Sequence, residues 1–447
     1  MAADKALPPL ERFLNLFTEV RPGEATSALL HALNIFHLLT AYYVLKPVRE
    51  ALILAGGGAE VKSYAAAGQA LLLLAAVPLY GWIASRVPRR VLINGDTLFF
   101  AGCLLVFYGL AQLHVPLGVV FFLWVGIFNL MVPAQFWALA NDLYTPEAGK
   151  RLFVIVAFGA SCGAVAGSYL DSLLIGSVGV YQLMLVAAGI LAVSLVLTNG
   201  VERRERARKA QIELSAGAQQ TGEDEPLKEG GAFALVFRSR YLLLIALLML
   251  VLNWVNTTGE YILGRTVLAA AEEAVASGTA RGLSEEEYIG EFYAEFFTVV
   301  NLVGLLLQLF VVSRVLKYLG VGTAIMILPL IALGGYLIAA LYPVLTMVRW
   351  AKTAENATDY SVQNTVRQVL FLPTTREQKY KAKQAIDTFF VRAGDVLSAV
   401  VVFAGTTWLA FSAQSFALFN VALVIIWLIL AILIGRHYKR LTASRTP

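Results

Sequence analysis

The sequence predicts an all-α membrane protein with twelve transmembrane helices arranged as two six-helix bundles. Three observations lead there. Of 447 residues, 58% are hydrophobic and only 15% are charged, where a soluble domain carries about 25%. The apolar residues fall in continuous runs of about twenty, the length of a helical crossing, rather than in the short alternating segments of a membrane barrel. Finally, most of the 35 lysines and arginines lie in segments 1–24, 85–91, 141–152, 200–240, 313–320, 366–384 and 436–447. With twelve spans these all share one face, which the positive-inside rule makes cytoplasmic, together with both termini. An odd number of spans would scatter them over both faces.

Taken in order, residues 10–20 (LERFLNLFTEV) show an amphipathic pattern suited to a helix at the interface. The first long apolar run comes only after Arg21, so no cleaved signal peptide is expected. Span one covers about 24–45 and should end at Pro47 and its neighbouring charges, with Gly56-Gly57-Gly58 beyond it as a turn. Spans two to six fall near 63–84, 91–112, 116–138, 152–173 and 178–199. The fifth has Gly159, Gly163 and Gly167 at four-residue spacing, a face for close helix packing. A polar linker over 201–240 is basic at first (Arg203, Arg204, Arg206, Arg208, Lys209) and then poor in apolar residues. Spans seven to twelve fall near 241–267, 290–312, 321–341, 344–368, 382–408 and 413–435. The domains are therefore an N-terminal bundle (1–200), a cytoplasmic linker (201–240) and a C-terminal bundle (241–447). SRVPRRV at 85–91 and SRVLKYL at 313–319 hold equivalent places in the two halves, and the fourth span of each half is its polar one. Two such halves suit alternating access around a site near the midplane.

Polar groups inside spans select the candidate site. The tenth span carries Arg349, Lys352, Glu355, Asn356, Asp359, Tyr360, Gln363, Asn364 and Arg367. Each charge at mid-membrane costs about 2.5–3.5 kcal/mol on insertion scales, so this helix must face a watery cavity or paired partners. Glu355, Asp359 and Tyr360 are the strongest substrate-binding candidates, with Lys352 on a neighbouring face. Glu260, in NWVNTTGEY of span seven, needs a cation partner, a proton or water. Lys46 can look inward to a ligand or snorkel to the interface. Arg49 is a candidate beside it, although Arg49 and Glu50 can also pair with each other. Asn141 of span four joins the list, with Asn129 and Gln135 on related faces serving equally as helix–helix contacts. Lys381 and Lys383, entering span eleven, can draw in an anion. Asp142, Lys150, Arg151 and Arg367 are candidate gating residues, since partly hydrated pairs worth about 0–1 kcal/mol are breakable. Arg392 and Asp395 read as a structural pair.

Four short segments also resemble a known family. TDYSVQNTVRQVLFLPTTREQKYKAKQAID (358–387), FWALANDLY (136–144), YYVLKPVREAL (42–52) and NWVNTTGEY (253–261) are similar to segments of the ATP/ADP translocases of plastids and obligate intracellular bacteria. The skeleton is Tyr360, Ser361, Pro373, Lys381, Lys383 and Asp387. This resemblance implies a major facilitator superfamily-like architecture and nucleotide exchange in a bacterial inner membrane. Lys46, Glu260 and Lys381 or Lys383 match the family's first-span lysine, seventh-span acid and eleventh-span basic position. The chain departs from the family pattern over Val366–Leu370 and at Pro373-Thr374-Thr375.

The expected function is exchange of nucleotides or a related phosphorylated organic anion by alternating access, by a monomer in contact with membrane lipid. The alternatives are a proton-coupled facilitator of a drug, lipid or small metabolite, and a non-transporting sensor or scaffold. No phosphate loop, nucleophile elbow or zinc-protease helix occurs. Histidines at 31, 37, 114 and 437 are scattered, and Cys103 and Cys162 sit in apolar spans. No enzyme, cofactor, metal site or nucleic-acid partner is therefore expected.

Overall fold

The computed structural model describes residues 8–15, 18–84, 86–144, 146–215, 232–375 and 378–443, and these are helical with no strand among them. A short α1 (Pro9–Leu14) precedes α2 (Ala25–Ala84), α3 (Arg89–Gln112), α4 (Gly118–Leu143), α5 (Pro146–Val178) and α6 (Gln182–Ser215). Then come α7 (Ala232–Arg238), α8 (Arg240–Ala276), α9 (Glu285–Phe310), α10 (Val312–Tyr318), α11 (Val321–Leu341), α12 (Leu345–Thr358) and α13 (Asn364–Leu370). The short α14 (Lys383–Ala385) leads to α15 (Val391–Thr407) and α16 (Ala413–Ala443). A π-helical turn, Asp359–Gln363, joins α12 to α13, and two more flank α14.

Ten of the described helices are long and apolar enough to cross a membrane. One of them, Ala25–Tyr80, has 56 residues, far beyond the roughly 20 that a crossing needs, and breaks at Gly58, so it supplies two crossings. The stretch from Leu345 to Leu370 is long enough but too polar to be counted by hydropathy; with it the crossings number twelve. Leu71, Leu105, Val196 and Leu330 stay exposed in mid-span, which lipid tolerates and water would not.

The ends of helices follow local chemistry. Ser284 accepts from the Glu287 amide while the Glu287 carboxylate accepts from the Ser284 amide, a reciprocal cap that starts α9. Ser239 caps α8 through the Leu242 amide.

Two expectations about α2 need correction. Pro47 does not end the first span, because the helix runs through it. A proline removes one backbone donor, and packing neighbours inside a membrane protein can make up the loss. The glycine turn is also narrower than the run, since Gly56 and Gly57 are helical and the chain breaks at Gly58 (φ 77, ψ 178), a conformation reserved in practice for glycine.

Contacts divide the chain into two compact units. The first comprises Met1–Arg49, Pro78–Leu117 and Trp124–Asp224, and the second Glu50–Val77, Gly118–Leu123 and Glu225–Pro447. In the first, Gly159, Gly163 and Gly167 of α5 press on the backbone of Ala32, Phe36 and Thr40 of α2. Asn34 bonds Ser194 and Thr198 of α6, and Asn94 and Asn199 bond reciprocally. α1 is shorter than the amphipathic pattern, and Arg151 bonds the Glu19 carbonyl in the segment after it. In the second unit α8 packs on α15 and α16, and α16 on α11.

Candidate functional site

The second unit buries a chain of alternating charges. Glu50 and Lys62, twelve residues apart on α2, pair at 2.6 Å. On a straight helix they would stand about 18 Å apart along the axis. The break at Gly58 folds α2 back and brings them together. Lys62 then reaches Glu260 of α8 at 3.8 Å, and Glu260 reaches Lys352 of α12 at 3.6 Å. Lys352 closes the series on Glu355 at 3.0 Å, its neighbour one turn along α12.

Neutral groups complete the coordination. Lys352 also donates to Asn256 Oδ1 at 3.0 Å, and Asn356 Nδ2 donates to Glu260 Oε1 at 3.1 Å. The Tyr336 hydroxyl of α11 lies 3.2 Å from Glu355 Oε1. Gly259 makes this possible, because a Cβ there would sit 2.0 Å from the Tyr336 oxygen and 3.0 Å from Lys352 Nζ. Lys62 lies over the Tyr293 ring, 5.3 Å from its centroid. Beside the network, Tyr261 donates to Glu60 and receives a bond from Arg265.

The five charged side chains are not equivalent. Glu50 and Glu355 are 2% and 6% exposed, Lys62 and Lys352 8% and 2%, while Glu260 is 22% exposed. Glu260 is also the partner at the longest distance for both lysines. Two tight pairs, Glu50–Lys62 and Lys352–Glu355, thus share one looser carboxylate.

The helical register explains which part of NWVNTTGEY does what. Asn256 and Glu260, one turn apart, face Lys352. Asn253 and Thr257, on another face, bond Asp395 Oδ1 of α15 at 2.8 and 2.7 Å. Arg392 pairs with Asp395 at 3.2 Å, as its spacing predicts.

Of the expected substrate-binding residues, Glu260 and Glu355 enter the network. Asp359 stands in the π-helical turn, partly buried, its Oδ1 without a hydrogen-bond partner among the described residues, and Tyr360 is 40% exposed. Lys46, in the first unit, is buried with Nζ 5.2 Å from the Tyr43 ring centroid, and Arg49 is partly buried. Asn141 is exposed, as is Asn129, whereas Gln135 is buried. Lys383 pairs with Asp387 along its own helix, and Lys381 is partly buried.

Among the gating candidates, Arg151 binds both oxygens of the buried Glu24 at 2.9 and 3.1 Å and the Glu19 carbonyl. Arg367 bonds Asn364, one turn away. The side chains of Asp142 and Lys150 lie outside the described residues.

Lys62 escaped the sequence reading because the glycine run placed it in a loop. Lys352 was noticed but set on a neighbouring face. Glu50 reads in the sequence as a candidate partner of Arg49, whereas the structure buries it against Lys62. The available signal was the spacing of opposite charges around a glycine, E-x11-K, at the centre of an otherwise apolar stretch.

The sequence profile of the Major Facilitator Superfamily matches residues 28–354, so the chain belongs to that superfamily. No curated protein sequence matches it. Among solved structures, a bacterial homologue of the human lysosomal transporter Spinster, inward-facing and unoccupied, is 16% identical with a TM-score of 0.56, covering 92% of this chain and 98% of the other. A POT family transporter in complex with 5-aminolevulinic acid is 13% identical (TM-score 0.62; 93% and 97% covered). The nucleoside transporter NupG is 12% identical (TM-score 0.61; 90% and 98% covered). At these identities the likeness is one of fold. Membership of that superfamily makes the chain a multi-pass membrane transporter.

Proposed function

We propose that this transporter exchanges nucleotides or a related phosphorylated organic anion, with Lys62 and Lys352 meeting the ligand's negative charge. The observation that carries this reading is the convergence of two buried lysines on the single, partly exposed Glu260. Glu260 occupies the place between two cations that an anionic group would take. Its longer distances make it the partner most easily replaced, whereas Glu50 and Glu355 hold the lysines in position. An exchanger gains from such a stand-in, because the empty protein keeps its charges paired.

Lys46, Arg49, Asn141, Asp359, Tyr360, Lys381 and Lys383 are proposed as further ligand contacts along the path, with Asp142, Lys150, Arg151 and Arg367 at its gates. The bodies that alternate are the halves 1–200 and 241–447 joined by the 201–240 linker. The protein would act as a monomer in a bacterial inner membrane with both termini cytoplasmic.

A second reading rests on the charge count. Fully ionised, three carboxylates face two ammonium groups in the network, and one proton on a carboxylate would balance it. The chain would then be a proton-coupled facilitator. Proteoliposomes containing the protein separate the two. Exchange requires that uptake of labelled ADP depend on internal unlabelled nucleotide and survive a protonophore. Uptake of a solute that a protonophore abolishes supports the second reading and defeats the first. Absence of ADP uptake under every loading condition also defeats it.

A further inference from the structure

The first unit holds a carboxylate that the proposed exchange does not use. Asp171 lies in α5, within the membrane-spanning stretch Arg151–Val178, and is 0% exposed. Neither of its oxygens has a hydrogen-bond partner among the described residues. An isolated ionised carboxylate in such surroundings is so costly that the group takes up a proton instead. Inside a membrane span, an ionisable residue of this kind marks function by default.

Its place in the packing gives the proton a destination. Cβ atoms on Gly159, Gly163 and Gly167 would lie 2.5, 2.3 and 2.5 Å from the carbonyl oxygens of Ala32, Phe36 and Thr40. Thus α5 and α2 advance together, four residues at a time, along a seam with no room for side chains. One further step brings Asp171 to the level of Val44 and Pro47. Pro47 has no N–H, so the Tyr43 carbonyl, four residues earlier, is without its usual helical donor. A carboxylic acid can supply a donor and a carboxylate cannot. The ionisable groups of α2 at this level are Tyr42, Tyr43 and Lys46, and Lys46 is directed over the Tyr43 ring. Of the other helices packed on α5, α6 has no ionisable side chain before Glu202, and α4 meets α5 through Trp137 on Phe153.

We infer that Asp171 is a proton-binding site of the transport cycle, neutral while the α2–α5 seam is closed. When water enters the seam, the O–H bond breaks, the proton passes to water, and the carboxylate is left hydrated. The site is separate from Glu260 and does not depend on which ligand the chain carries.

Infrared spectroscopy of the full chain in lipid tests this, comparing wild type with Asp171→Asn in H2O and D2O. Asparagine has the shape of the neutral acid, so the variant should fold. Wild type should show a carboxylic acid C=O band at neutral pH that shifts in D2O within minutes and is lost in Asp171→Asn. Asp171→Glu, which restores an acid, should restore a band. An unchanged band in Asp171→Asn would show that Asp171 is ionised and overturn the inference. A band present in wild type but insensitive to D2O for hours would mark a sealed structural acid, and would overturn it equally.

Discussion

Lys352 offers the sharpest test of how the buried charges hold one another. It is 2% exposed and has Glu355 at 3.0 Å, Glu260 at 3.6 Å and Asn256 at 3.0 Å. Among the described residues, Lys352→Ala removes the only ammonium that touches Glu355 and one of two that touch Glu260. Glu355 is then a buried charge whose remaining partner is the Tyr336 hydroxyl. Breaking a buried pair in this way costs about 3–5 kcal/mol, most of it the penalty of the charge left behind. Removing both partners is far gentler, since a well-packed neutral replacement is often tolerated. Lys352→Met/Glu355→Gln should therefore be more stable than Lys352→Ala, and the corresponding double-mutant cycle should give a coupling of about 0.5–3 kcal/mol. Equilibrium unfolding in lipid–detergent mixtures, followed by tryptophan fluorescence, measures all the corners. If the Lys352 and Glu355 effects simply add, the pair is not coupled and the network is not a unit.

Other substitutions probe the geometry around it. Gly58→Ala forces a non-glycine residue to φ 77, a strain of order 1–3 kcal/mol. It should lower the melting temperature and loosen the Glu50–Lys62 pair, read as faster amide exchange in 50–64. Gly259→Ala places a methyl group 2.0 Å from the Tyr336 hydroxyl. Overpacking should cost about 1–3 kcal/mol, and Tyr336→Phe in the same background should recover part of it, because the clashing atom is gone. Gly163→Leu, whose Cβ would lie 2.3 Å from the Phe36 carbonyl oxygen, should prevent the α2–α5 seam from closing and reduce folded yield by size-exclusion chromatography. A conservative Leu191→Ile on α6 serves as the control.

Much of this architecture can be read from residues alone, for reasons that also mark where reading stops. Apolar runs and basic loops report the spans because hydrocarbon imposes length and charge constraints on each segment separately. The tenth span announces itself because Lys352, Glu355 and Asn356 are intolerable in lipid. The identity of their partners is a matter of tertiary structure: nothing in EALILAGGGAEVKSY says that Gly58 breaks a helix rather than opening a loop, and so Glu50 and Lys62 were separated. Asp171 passed unnoticed because one acid near the end of an apolar run looks like a span reaching the surface. Arg151 marks the same limit. Its position at a basic turn suggests a gate, while its partners, the buried Glu24 and the Glu19 carbonyl, are visible only in the structure.

The central claim, that the lysines around Glu260 receive the ligand's charge, is tested most directly by counterflow of labelled ADP in proteoliposomes containing Lys352→Met/Glu355→Gln. This variant withdraws one cation together with its closest carboxylate, leaving Lys62 between Glu50 and Glu260, and its folding is checked by the unfolding experiment above. The account predicts that counterflow seen with wild type falls at least about tenfold, as loss of a charge-assisted contact worth about 1.5–3 kcal/mol requires. Arg281→Ala, in the loop outside the network, should leave it unchanged. Wild-type counterflow in the folded double variant would contradict the account.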